Sequence, residues 1–194
     1  MQKRINEEIF NLGIPDMTVP ALNWLNSNLD GGEQLFEWGA GASTFWFANR
    51  VAQVYSAEYF EAFYYYLKEY ADSKGYENVD LILAKPDVIP QEGYIAKYSS
   101  AAGQSFKRFC LSVENYPSSS FDVVVIDGRA RTKCLDLAMR AVKRGGLIIF
   151  DDTERVEYRA SLNKYISSFD FIKDFKGEKA TTGKMSQTSI ARVS

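Results

Sequence analysis

The chain has 194 residues, 46% hydrophobic and 25% charged, a mix that supports one buried core of ordinary size. Its 23 basic and 25 acidic side chains leave a net charge of −2, which argues against a general nucleic-acid binder. No histidine is present, which excludes Ser-His and Cys-His catalysis, histidine-ligated zinc and histidine bases. Proton or metal chemistry therefore falls to carboxylates, Lys, Tyr, Cys or a substrate group. Two cysteines, Cys110 and Cys134, are too few for a disulfide framework and read as buried free thiols. The first residues are too charged for a signal-peptide core, and no apolar stretch approaches the ~20 residues of a membrane span, so a cytoplasmic protein without membrane contact is expected.

Thr18 reads as a helix cap, with Pro20 in the first turn and Leu22, Leu25 and Leu29 along one face, within an N-terminal helical extension over residues 1–31 of a single domain, 1–194. A strand at 34–38 stops at Gly39, a helix covers 43–50, a strand 53–58, a helix 59–74 and a strand 79–84. Residues 85–103, rich in Pro, Gly, Ser and Tyr, form a long loop, and loops of that length inside compact domains usually carry function. A helix is expected over 105–116. The β-branched run at 121–127 reads as a buried parallel strand, followed by a helix at 135–143, a break at Gly145-Gly146 and a second buried strand at 147–151. After a helix at about 154–168, segments 169–175 and 189–193 alternate apolar and polar residues across a polar loop, the pattern of a β-hairpin. The alternation predicts an α/β sheet, parallel apart from its last strand.

In such sheets ligands bind outside the carboxyl ends of the strands. Four of those ends carry acid: Glu37, Glu58, Asp127 and the pair Asp151-Asp152. Between the first strand and its helix, Gly39, Ala40 and Gly41 would let backbone N–H groups approach a ligand, although the same turn also serves to pack strand on helix. Glu37 just before the turn would oppose a pyrophosphate but suit a cationic amine or sulfonium. Glu58 is placed to accept two ribose hydroxyls, and Tyr59 offers a flat face beside a base, although it also belongs to a helically spaced aromatic stripe.

Glu37-x-Gly-x-Gly-x-Ser-Thr, Glu58, Asp127-Gly-Arg and Gly145-Gly-Leu-Ile-Ile-Phe-Asp-Asp resemble the sequential motifs of class I S-adenosylmethionine-dependent methyltransferases, from about Thr18 onward. The resemblance implies a Rossmann-like, seven-stranded, mostly parallel sheet with a C-terminal antiparallel hairpin and helices on both faces. It implies that Glu37, Gly39, Ala40, Gly41, Ser43 and Thr44 hold the methionine part of S-adenosylmethionine, that Glu58 and Tyr59 hold the adenosine, and that the loop near Pro86 and Asp87 lies by the adenine. Ser43 stands where many members have a third glycine.

Asp127, Asp151 and Asp152 fall where cation-dependent O-methyltransferases of small molecules carry metal ligands, though those enzymes typically show Asp-Asn in place of Asp151-Asp152. Three hard oxygen ligands suit Mg2+, which would lower the pKa of an acceptor hydroxyl. Asp151-x-x-Glu154 also fits a helix-capping box, and Asp127 could serve as a base or contact the cofactor without metal. Arg129 and Arg131 could clamp a carboxylate or phosphate, and the Asp-Gly-Arg-x-Arg run is similar to sugar methyltransferases. The expectation is methyl transfer to a hydroxyl of a small, anionic or sugar-type acceptor, with Asp127 and Arg131 catalytic, no nucleic-acid partner and a homodimer. Two rivals stand: a nucleotide-dependent oxidoreductase, and a non-catalytic cofactor-binding subunit.

Overall fold

The computed structural model describes residues 13–98 and 101–194. The seven strands are β1 (Gln34–Trp38), β2 (Gln53–Glu58), β3 (Val79–Leu83), β4 (Phe121–Ile126), β5 (Val142–Phe150), β6 (Phe169–Glu178) and β7 (Met185–Val193). They form one sheet in the order β3-β2-β1-β4-β5-β7-β6. All neighbours are parallel except β5–β7 and β7–β6, so the expected mostly parallel sheet with an antiparallel hairpin is the observed one. The strand order reverses between β1 and β4, and at such a switch point the loops diverge and leave a crevice.

The helices are α1 (Val19–Asn28), α2 (Ala42–Ala48), α3 (Glu61–Lys74), α4 (Lys107–Leu111), α5 (Arg131–Ala141) and α6 (Val156–Asn163). β4 shows why both faces are covered, because alternate residues of its apolar run enter different cores. Val124 and Ile126 pack with Phe36, Trp38, Phe109, Leu135, Ala138 and Leu162 under α4, α5 and α6. Val123 and Val125 pack with Leu25, Trp46, Phe47 and Ile149 under α1 and α2. The Trp38 indole donates to the Phe109 carbonyl at 2.9 Å, tying α4 to the central strand.

Several boundaries differ from the sequence reading, each because a distant partner outweighs local pattern. α5 starts at Arg131 rather than 135, entered through Ala130 in the left-handed region at φ 47°. The Gly145-Gly146 pair is no break: β5 runs through it, and Gly145 at φ +77° supplies the register shift that lets Phe121 pair with Val142 and Val123 with Leu147. The expected helix at 154–168 is shorter, α6 followed by a 3-10 turn at Ile166–Ser168. The segment at 105–116 is α4 and a 3-10 turn at Ser112–Asn115. Thr18 does not cap α1 with its side chain; its hydroxyl donates to the Phe175 carbonyl at 3.0 Å, because α1 sits on the hairpin. Of the extension expected over 1–31, residues 1–12 lie outside the described residues. No helix among the described residues is long and apolar enough to cross a membrane.

Candidate active site at the strand ends

The loops after β1, β2, β4 and β5 and the tip of the β6–β7 hairpin enclose a cavity of about 850 Å³. Gly39, Ala40, Gly41 and Ser43 line it from the first loop, Glu58 and Tyr59 from the second, Asp127 to Arg129 and Arg131 from the fourth strand, and Asp152 from the fifth. This is the size of a pocket for a drug-sized ligand.

Two glycines bring the first and fourth loops together. Gly39 has φ +105°, and a Cβ there would lie 2.9 Å from the backbone nitrogen of Gly128. A Cβ on Gly128 would run into the Phe109 ring. The turn therefore needs glycine both for its backbone angle and for a backbone-to-backbone contact. Gly41 has open space where its side chain would be and lines the cavity, but the N–H groups of the turn do not reach for a ligand as expected, because those of Gly39 and Ala40 donate to the Ala57 carbonyl at 3.0 and 3.1 Å.

Glu37 behaves differently from expectation. It is fully buried and does not line the cavity. Its two oxygens accept from the hydroxyls of Ser43, Thr44 and Ser56, the last at 2.6 Å. Thr44 Oγ1 in turn accepts from the Gly41 N–H at 3.0 Å, so Glu37 acts on the loop through Thr44 rather than by facing a ligand. Burial outweighs these hydrogen bonds and raises its pKa. Glu58 is buried at the end of β2, where Oε1 accepts from the Phe60 N–H at 2.7 Å and fixes the carboxylate over the cavity. Tyr59 packs edge-on against Phe106 and Phe109, and Arg129 lies over its ring at 5.0 Å.

Asp127, Asp151 and Asp152 do come together, but around side-chain cations. Arg131 reaches Asp127 at 2.8 Å and Asp152 at 3.4 Å, and donates to the carbonyls of Gly128 and Asp151 at 3.1 and 2.9 Å. Lys179 contacts Asp151 and Asp152, each at 2.7 Å, and Arg155 reaches Asp152 at 2.5 Å. The other oxygen of Asp151 accepts from Thr188 at 2.7 Å. Three carboxylates thus meet three cations. The expectation of a Mg2+ site at Asp127, Asp151 and Asp152 is corrected accordingly: a divalent ion there would be repelled by ammonium and guanidinium groups already on its oxygens. Among the described residues no cluster of metal-binding side chains is found. Nor do Asp151 and Glu154 form a capping box, because Glu154 accepts from Ser186 and Gln187 of β7.

The electrostatics divide within this cluster. Burial raises the Asp127 carboxyl to about 7, with Arg131 opposing and Asp151 reinforcing the shift. The surrounding cations hold Asp152 down at about 2 against its burial, and the carboxylates push Arg131 and Lys179 further toward the charged form. The Asp127 side chain keeps 24% of its surface open, toward the cavity it lines. Asp152 sits at φ +58°, an uncommon angle for a non-glycine residue and one found at functional sites.

The sequence reading missed Lys179, Arg155 and the hairpin tip. Residues 16–18 hold that tip: Ala180 donates to the Met17 carbonyl at 2.9 Å, Thr182 to Asp16 at 3.0 Å, and Thr18 bridges Lys179. Nothing local in 176–187 marks Lys179, whose role depends on hairpin register. Asp87 does not line the cavity; it accepts from the Lys107 N–H at 2.6 Å, at the start of α4, and from the Ser105 hydroxyl. The same loop instead lines a smaller neighbouring cavity through Ala96, Lys97 and Tyr98.

No described protein family and no curated protein matches the chain. Solved structures do match. A proposed O-methyltransferase from Klebsiella pneumoniae aligns at 18% identity and TM-score 0.63 over 98% of this chain and 88% of its own. The tRNA (m1A58) methyltransferase of Aquifex aeolicus aligns at 15% identity and TM-score 0.62 over 97% and 75%. A proposed methyltransferase from Streptococcus mutans, in complex with SAH, aligns at 12% identity and TM-score 0.56 over the full length of both chains. The fold is that of the class I S-adenosylmethionine-dependent methyltransferases, as the motif resemblance implied.

Proposed function

We propose that this protein is an S-adenosylmethionine-dependent methyltransferase acting on a hydroxyl of a small, anionic acceptor. The observation that carries the reading is that Glu58, the Gly39–Gly41 backbone and Asp127 all line one cavity at the switch point of the sheet. The residues suit the cofactor: Glu58 offers a carboxylate to the ribose hydroxyls, Gly41 leaves room for the methionine part where a side chain would stand, and Tyr59 offers a ring to the adenine. When bound, the sulfonium supplies an electrophilic methyl group.

Asp127 holds the position of the base. As the acceptor oxygen takes the methyl group, its proton passes to the Asp127 carboxylate, whose raised pKa suits proton acceptance near neutrality. Arg131 positions that carboxylate and keeps it charged enough to act. The remaining catalysis is the holding of donor and acceptor in contact.

Calorimetric titration with S-adenosylhomocysteine tests the cofactor reading, with micromolar binding expected; absence of binding overturns it, and titration with the nicotinamide dinucleotides then tests the oxidoreductase. Transfer of labelled methyl from S-adenosylmethionine, compared on sugar acids and on bulk tRNA and rRNA, then tests the acceptor. Label in the RNA alone would replace the small-molecule reading, and the resemblance in fold to a tRNA enzyme makes that arm necessary.

A further inference from the structure

Beside the main cavity lies a second one of about 210 Å³. Its wall includes Lys97, Tyr98, Arg129, Arg131, Arg155 and Tyr158, and Gly128, Arg129, Arg131 and Arg155 line both cavities. Four of the lining side chains are cationic and none is a carboxylate. The chamber faces its contents with positive charge and two phenol rings.

Three of the four cations already have partners. Arg131 is held by Asp127, Arg155 by Asp152, and Lys97 by Glu157 at 3.5 Å. Arg155 also lies over the Tyr98 ring at 4.5 Å, and Tyr98 meets Tyr158 edge-on at 5.6 Å, so the two phenol rings and this guanidinium stand against one another. Arg129 is the exception. Among the described residues it has no acidic partner; one of its donors goes to the Tyr59 hydroxyl at 2.9 Å, and its Nε is buried with no acceptor at all. A buried N–H without an acceptor is costly, and a planar guanidinium with donors to spare matches the two oxygens of a carboxylate or phosphate.

Resting on the methyltransferase reading above, we propose that this smaller cavity seats the acceptor's oxyanion, a carboxylate or phosphate gripped by Arg129, with Tyr98 and Tyr158 flanking the body of the acceptor. The seat adjoins Asp127 through Gly128, so an acceptor anchored there by its anion presents a nearby hydroxyl to the base. Specificity then comes from charge at one end of the molecule and chemistry at the other. A neutral sugar of the same size leaves Arg129 unpaired and is discriminated against.

The test is calorimetry on the full chain saturated with S-adenosylhomocysteine, titrated separately with glucuronate, glucose 6-phosphate and glucose. Both anions should bind at least tenfold more tightly than glucose, and the stronger of the two tells carboxylate from phosphate. Arg129→Gln should remove that preference while Arg129→Lys keeps part of it, and the loss should exceed any change in S-adenosylhomocysteine affinity of the same variant. Anions that bind no better than glucose, or a preference untouched in Arg129→Gln, would overturn the seat. The two readings fail separately: a chain that ignores S-adenosylhomocysteine but still binds the anions through Arg129 loses the methyltransferase reading and keeps the anion site.

Discussion

Two buried carboxylate networks stand at the ends of neighbouring strands and follow opposite plans. Glu37 on β1 is satisfied by the hydroxyls of Ser43, Thr44 and Ser56 and is closed to the cavity. Asp127 after β4 shares Arg131, Lys179 and Arg155 with Asp151 and Asp152, and opens onto the cavity. Burial raises the pKa of both Glu37 and Asp127, yet the consequences differ. At Glu37 the hydroxyls hold a loop in shape and no ligand can take its proton. At Asp127 the same shift produces a group that exchanges a proton with whatever fills the cavity. A raised pKa marks chemistry only where the group can be reached.

The largest effect separating the two networks is expected in turnover. Asp127→Asn should slow single-turnover methyl transfer by roughly 10²–10⁴-fold, the usual range for loss of a general base. S-adenosylhomocysteine affinity, read by calorimetry, should largely persist. Wild-type turnover in that variant would move the base elsewhere.

Stability separates the networks next. Arg131→Met leaves buried carboxylates short of a cation and should cost about 3–5 kcal/mol in urea unfolding, the range for breaking a buried ion pair from one side. A loss under about 1 kcal/mol, like that of an exposed pair, would mean that Lys179 and Arg155 suffice without it.

A third test uses pH. A carboxyl whose folded pKa is raised binds its proton more tightly in the native state, so Asp127 makes stability fall as pH rises from about 4 to about 7. Asp152, held at about 2, has the opposite sign: its stabilising effect is present above about pH 4 and is lost as pH falls toward 2. Activity should rise with pH over the interval in which Asp127 costs stability, because the base must be ionised. Urea midpoints measured across pH 4 to 8 should show a shallower decline in Asp127→Asn than in the wild type; equal slopes would remove Asp127 as the group responsible.

The smallest change is expected at Glu37→Gln, which keeps an acceptor oxygen and the shape of the side chain. It should cost about 1 kcal/mol, one altered buried hydrogen bond, and weaken S-adenosylhomocysteine binding only slightly through Thr44 and Gly41. A collapse of binding would place Glu37 in contact with the ligand after all.

The architecture and the acids at the strand ends were legible because both rest on local signals. The buried run at β4 alternates between two cores, and each acid follows its strand directly. The partners of those acids were not legible. Arg131 was read as a clamp for a ligand, since nothing local says that its guanidinium turns back onto Asp127 and two carbonyls. Lys179 lies 28 residues from Asp151 along the chain and meets it only through the register of β6 with β7. Acidic residues clustered by strand order look like metal ligands until the counter-charges from other elements are in place.

The placing of β7 between β5 and β6 has a consequence for the order of assembly. β6 comes earlier in the chain, yet it joins the sheet only through β7. Until β7 lies along β5, Asp151 has neither Thr188 nor Lys179, and only Arg131 and Arg155 balance the three carboxylates at the strand ends. The cavity thus acquires its full charge balance only when the hairpin has joined the sheet, and a chain without that contact has the β1 glycine turn but an incomplete site.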